Sequence, residues 1–208
     1  MTEPRTARTR RPYTLRRRQA RVDETKERIT AAAFDLHATI GPSRTTISAI
    51  AARAGVQRHT VYQHFPDLDA LYEACTEHGL RTTGVPDPAG WDDIADPRAR
   101  LGRGLDALFG WFRANERMLS AILGDAMAAE PPPVSPAPDL FDRHMTMLFE
   151  ILNDGWESSA ATRPVLGAVI AHAMAFETWR SLTRAGLSDT QARDLLVDLA
   201  SRVASGTL

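Results

Sequence analysis

The sequence predicts an all-α protein, a small three-helix N-terminal head followed by a larger helical body. Three observations carry this reading. Apolar residues recur at i, i+3, i+4 and i+7 in most of the 208-residue chain, which is the spacing of one helix face. Beyond the head no segment shows the two-residue alternation of a half-buried strand. Within residues 46–65, two short periodic stretches meet at Gly55, a residue free to take φ > 0 and turn the chain sharply.

In chain order, residues 1–22 read as a flexible arginine-rich arm. Eight arginines (Arg5, Arg8, Arg10, Arg11, Arg16, Arg17, Arg18 and Arg21) stand there against one acid, Glu3. With almost nothing apolar to bury, such a tail cannot fold alone. The head follows at 23–80. Ile29, Ala32, Ala33 and Leu36 share one face of its first helix, closed by Gly41-Pro42. Thr46 stands where an N-cap accepts an amide hydrogen bond, ahead of Ile47, Ile50, Ala51 and Ala54 on the second helix. Small Ala51 admits a close neighbour, and Val61 and Phe65 at helical spacing seal the third helix against it. Around that pair lie Gln57, Arg58, His59, Thr60, Tyr62, Gln63 and His64. Two short helices, a glycine turn and an outer face of hydrogen-bonding side chains describe a helix-turn-helix. A fourth helix is expected after Pro66-Asp67, with Asp67 as cap and Leu68, Leu71, Tyr72 and Cys75 on its apolar stripe.

The segment 25–79 closely resembles the TetR family of bacterial transcription factors. The resemblance is carried by Arg28-Ile29-Thr30-Ala31-Ala32-Ala33-Phe34, Thr45-Thr46-Ile47, Ile50-Ala51, Ala54-Gly55-Val56, Val61-Tyr62-Gln63-His64-Phe65-Pro66-Asp67 and Ala70-Leu71. It implies a homodimer that reads an inverted repeat of double-stranded DNA, with the recognition helix at 57–64. Gln57, Arg58, His59 and Thr60 would then face base edges, Tyr62 and His64 would clamp phosphates, and Thr46 and Ser48 would add backbone contacts. The chain departs from the family's pattern in two places: Gln57 replaces a small capping residue, and Leu68 stands where a phosphate-contacting lysine is common. The second departure removes a charge that the arginine arm would replace. Beside such a head, Arg16, Arg17, Arg18 and Arg21 are expected to contact phosphates or a minor groove. For Arg5 to Arg11, DNA contact and a merely solvated leader both stay open.

The body, 81–208, opens with a boundary at 81–96 rich in Pro, Gly and Asp. Pro97 starts a helix through Leu101, Leu105, Leu108, Phe109 and Phe112, with a break near Asn115 and a further helix through Leu119, Ile122, Leu123 and Met127. Residues 130–139, with five prolines, are an expected loop. Leu140, Phe141, Met145, Leu148, Phe149 and Leu152 mark the next helix. Two more are expected, 164–185 ended by Gly186, and 188–205 capped by Ser188 and carrying Leu195, Leu196, Leu199 and Val203. Most of the large apolar side chains here must be core. By the resemblance, some line a pocket for a small, largely apolar effector: Trp111, Phe112, Met118, Phe141, Met145 and Phe176 are the candidates, with His144, His172 and Glu177 as polar orienters. By the same resemblance the last two helices pair with their symmetry mates in the dimer, although burial within one chain would leave a similar pattern.

Composition sets the bounds on function. The net charge of −1 conceals a division, since residues 1–80 hold 13 Arg or Lys against 9 Asp or Glu and residues 81–208 hold 12 against 17. No apolar run reaches the ~18 residues of a membrane span and no secretory signal is evident, so no membrane partner is expected and the resemblance implies a bacterial cytoplasmic, nucleoid-associated location. The single cysteine, Cys75, permits no internal disulfide. The six histidines show no metal-ligand spacing, and no phosphate loop, G-x-S-x-G or H-E-x-x-H is present. Neither an enzyme nor a metal or other cofactor is therefore expected. An architectural DNA binder is the competing class, and the aromatic, methionine-rich body argues against it.

Overall fold

The computed structural model describes residues 11–128 and 140–207, and among these every regular element is a helix. The head comprises α1 (Arg11–Ile40), α2 (Ile47–Ala54), α3 (Arg58–His64) and α4 (Leu68–Thr82). The body comprises α5 (Pro97–Ala114), α6 (Glu116–Ala128), α7 (Leu140–Asn153), α8 (Arg163–Ala173), α9 (Phe176–Arg184) and α10 (Asp189–Ser205). Buried apolar residues separate into two clusters. One joins Ile29, Ala33, Ile50, Ala51, Val61, Phe65, Leu71 and Cys75 from the four head helices. The other runs from Trp91 to Val203 through the body. The two units meet where α1 packs on α6 and α4 packs on α7.

Local chemistry sets most helix ends. Asp67 caps α4 by accepting from the Ala70 amide at 2.8 Å. Asp96 caps α5 ahead of Pro97, whose missing N–H costs nothing in a first turn. Ser188 and Gln191 form a reciprocal capping box on α10. Close approach of α5 and α7 depends on Gly104, since a Cβ there would stand 2.6 Å from a Leu152 methyl. Arg100 is buried and donates to the Ile94 and Asp154 carbonyls, which pins the loops before α5 and after α7 to each other.

Four expectations need correction. Residues 11–22 belong to α1 rather than to a flexible arm; residues 1–10 lie outside the described residues. Helix nucleation is the costly step, and the segment 11–22, with five arginines, only extends a helix nucleated downstream. Leu68 and Tyr72, expected on an inward stripe, are 56% and 42% exposed, because α4 turns only Leu71, Cys75 and Gly79 inward. Tyr72 instead stacks on the buried ring of His37 at 5.3 Å. The single helix expected at 164–185 is two, broken where Ala175 is extended (ψ 135°). The break re-aims the chain so that Phe176, Thr178 and Trp179 are all buried. Leu195 of α10 is half exposed, whereas Leu196 beside it is buried. The proline-rich loop expected at 130–139 lies outside the described residues.

Candidate functional site

The head's outer surface is built by its turn. Thr46 accepts the Ala49 amide at 3.1 Å and fixes the start of α2. Gly55, at φ 66°, ends α2 in a left-handed cap whose N–H reaches the Ala51 and Ala52 carbonyls. The chain then re-enters helix through Gln57, which is extended and makes no side-chain cap bond. The first turn of α3 is held instead by the backbone, Thr60 N–H to Gln57 carbonyl at 2.9 Å. The Gln57 amide is thus not consumed by capping. On its inner side α3 is anchored by fully buried Val61 and by Phe65. Gln57, Arg58, His59 and Tyr62 are consequently exposed, with Thr60 and His64 half-buried at the margins. Thr46 and Ser48 are exposed at the adjacent start of α2. The structure thus brings the twelve expected DNA contacts into two places, eight around α2 and α3 and four on α1.

Arg58 is the best-defined member. Its guanidinium donates to the Tyr62 hydroxyl at 3.2 Å and lies 5.8 Å from that ring's centroid. A planar fork with five donors, held at an exposed helix start, suits bidentate contact with a guanine edge. Seven residues of α3 span about 10 Å, short enough to enter a major groove about 12 Å wide. Arg53 is not available in the same way, because it pairs with Asp35 and ties α2 to α1. Exposed Arg44, bonded to the Ile40 carbonyl at 2.7 Å, is a cation close to Thr46 that sequence reading passed over.

Arg16, Arg17, Arg18 and Arg21 of α1 are all exposed. α1 meets the end of α3 through Lys26, whose ammonium sits 5.5 Å above the Phe65 ring. Counting back along α1, Arg21 and Arg17 lie about 7.5 and 13.5 Å beyond that point at the helical rise per residue. Residues 17, 21 and 28 fall within about 40° around the axis, so Arg28 extends the same basic stripe, which faces away from Lys26.

In the body, four ligand candidates come together. Trp111 packs on Phe112 and Phe141 at 5.5 and 6.1 Å between ring centroids, and Phe112 meets Phe176 edge-on at 5.5 Å. Trp179, which sequence reading left as core, completes the group at 5.9 Å from Phe112. Met118 and Met145 pack against the body core and are half-buried. The polar candidates scatter. His144 donates from Nε2 to the Pro86 carbonyl at 2.9 Å. Glu177 pairs with Arg180 at 2.5 Å on the edge of the rings. His172 is exposed on α8, with Nε2 at 3.2 Å from the Thr178 hydroxyl, so it does not join the aromatic group. Trp111 also reaches the head: its indole N–H donates to the Thr83 hydroxyl at 3.3 Å, and Asn115 donates to the Thr83 carbonyl at 3.2 Å.

Among the described residues no group of three or more His, Cys, Asp or Glu side chains is placed to hold a metal ion. Burial pushes the Cys75 thiol up to about 12, so the nucleophilic thiolate is scarce at neutral pH. No helix among the described residues is long and apolar enough to cross a membrane.

Comparison with known proteins agrees with this geometry. Residues 29–75 match the model of bacterial regulatory proteins of the tetR family. A TetR-like transcriptional regulator from Rhodococcus sp. RHA1 has the same fold at a TM-score of 0.55 and 22% identity, over 88% of this chain and 96% of that one. A TetR transcription regulator from Haloarcula marismortui ATCC 43049 superposes at a TM-score of 0.54 and 22% identity, over 88% and 98% of the two chains. Comparison with curated proteins gives no match.

Proposed function

We propose that this chain, which belongs to the TetR family of bacterial regulators, is a non-enzymatic, cytoplasmic, nucleoid-associated repressor that leaves its operator when a small, largely apolar effector enters its body. The domains are 23–80 for DNA and 81–208 for effector and dimer. The observation that carries the reading is the outer face of α3, where Gln57, Arg58, His59 and Tyr62 stand exposed over a helix pinned by Val61 and Phe65. Direct contact with base edges belongs to Gln57, Arg58, His59 and Thr60, and phosphate contact to Tyr62, His64, Thr46 and Ser48. Arg16, Arg17, Arg18 and Arg21 add phosphates beyond the end of α3, now as a helical extension rather than as a threaded tail.

Two such heads make a reader of inverted repeats if a two-fold axis relates them. The pairing surface we assign is the outer side of α8 and α10. Val165 and Leu195 are each half exposed there, and half-buried Val169 and Leu199 lie one turn along. His172 lies two turns along α8 from Val165, which moves it from the effector site to the dimer surface. The effector reading rests on the aromatic group of Trp111, Phe112, Phe141 and Phe176, together with Met118 and Met145.

Selection of bound fragments from the DNA upstream of the gene tests the proposal. The expected product is an inverted repeat whose half-site centres lie about 34 Å apart, or a multiple of it. Recovery of fragments without shared sequence would leave an architectural DNA binder in its place.

A further inference from the structure

One corner of the body departs from ordinary core chemistry. Arg180 of α9 is held largely out of water, its side chain 20% exposed, with the guanidinium 5.3 Å from the Phe176 ring centroid. It reaches across to α6, donating to the Ser120 hydroxyl at 3.3 Å, and it binds one Glu177 oxygen, Oε2, at 2.5 Å. The Glu177 side chain as a whole is 40% exposed, yet its other carboxylate oxygen, Oε1, is enclosed and has no hydrogen-bond partner among the described residues. Enclosed carboxylate oxygens without a donor are uncommon because the lost hydration is not recovered. The same side chains border the ring cluster, since Phe176 stands 5.5 Å from Phe112 and 5.6 Å from Trp179.

We infer that Glu177, Arg180 and Ser120 form the polar end of an effector site between α6 and α9, and that the effector carries a hydroxyl or amide N–H on an apolar frame. The inference rests on the effector reading above and names the ligand's chemistry. Glu177 Oε1 accepts a hydrogen bond from the ligand, which identifies a donor. Arg180 already neutralises the carboxylate, so a neutral donor suits the site and a free cation gains little. The aromatic wall of Phe112, Phe176 and Trp179 receives the apolar remainder. Arg180 and Ser120 escaped sequence reading because an arginine and a serine on different helices show no spacing in common; only the fold joins them.

The test uses the full chain and two probes of one frame, 4-pentylphenol and 4-pentylanisole. The ether keeps an acceptor oxygen and lacks the donor. A site with an unpaired buried acceptor discriminates strongly against a ligand that cannot donate. Calorimetric titration is expected to show the phenol binding at least about tenfold tighter than the ether. Glu177→Leu is expected to abolish that preference by weakening the phenol, with circular dichroism and melting temperature confirming the fold. The wild-type comparison stands even if that variant fails to fold. Equal binding of the two probes overturns the inference, and so does a preference that survives in a folded Glu177→Leu. A crystal structure with the phenol bound and its hydroxyl away from Oε1 overturns it too. Should neither probe bind while other apolar compounds release the operator equally from wild type and Glu177→Leu, the anchor fails and the effector reading stands. If no apolar compound binds the body or releases the operator, both fall.

Discussion

Arg58 lies along Tyr62 in the free protein, so reading a base requires the guanidinium to leave a ring and a hydroxyl for a guanine edge or its equivalent. The exchange replaces one exposed contact by a bidentate one, worth about 1–3 kcal/mol of discrimination. Arg58→Ala is therefore expected to weaken operator binding by about that amount while binding to random DNA changes little, as read by competition titration at fixed salt. Equal weakening on both would remove Arg58 from the base-reading set. A second residue-scale expectation concerns packing. A methyl at position 104 would meet Leu152 methyls at 2.6 and 2.7 Å, and Leu152 is completely buried, with no space to yield. Gly104→Ala is expected to lose about 1–3 kcal/mol of stability, the usual cost of overpacking, seen as a lower urea midpoint at unchanged slope. Thr46, Gly55, Asp67 and Ser188 could be read as caps or turns from sequence because their chemistry acts within four residues. Gly104 could not, since its partner is almost fifty residues away.

Helices join one another here through a few shared groups, and Asp189 is the clearest. It is the first residue of α10 and accepts from Arg113 of α5 at 2.8 and 2.5 Å and from the Trp179 indole of α9 at 2.9 Å. The Arg113 hydrogen bond, assisted by Trp179 and opposed by partial burial, holds its carboxyl below the usual carboxylate value. A pKa lower in the folded than in the unfolded chain means stabilisation that is complete above the ordinary value and is lost as pH falls through the folded one. Asp189→Asn is thus expected to cost about 1 kcal/mol at pH 7, since Arg113 is well exposed and the pair is screened. The deficit should shrink as pH drops below about 4, where wild type loses the same interaction. Denaturant midpoints at pH 7 and pH 3 check this; a constant deficit would assign Asp189 a packing role. At this scale most helices were legible from their periodicity, and the break at 173–176 was not. Neither glycine nor proline marks it. What imposes the break is the need of Phe176 and Trp179 to face one core, a demand that exists only in three dimensions. The extension of α1 escaped for a related reason, because composition describes what a segment does alone and α1 is nucleated elsewhere.

Across the whole molecule, the proposed DNA and effector surfaces are joined by a continuous path. α1 adjoins the end of α3 at Phe65 through Lys26, and its exposed arginines lie further along the same helix. Deleting residues 1–21 is expected to weaken operator binding and to flatten its salt dependence, by about 0.9 in log–log slope for each phosphate the protein no longer touches. An unchanged slope would reduce the stripe to a solvated helix. The path inward runs from α3 into α4, whose C-cap Thr83 receives the Trp111 indole and the Asn115 amide. Trp111 packs on Phe112 and Phe141, so whatever re-seats these rings also bears on the end of α4. An effector that binds better when the heads are splayed shifts the population away from the form that spans two half-sites. Coupling of this kind is reciprocal: if effector weakens operator binding by some factor, operator weakens effector binding by the same factor. Thr83→Val removes the hydroxyl that Trp111 uses and keeps the side chain's shape. It is expected to lower that common factor, measured from both directions in separate titrations, while operator affinity without effector changes by less than about threefold. A factor equal to wild type would mean that the heads are moved through the α1–α6 contact instead. A wild-type factor of one, with effector bound, would show that effector and operator are not coupled, and release by population shift would be the wrong mechanism.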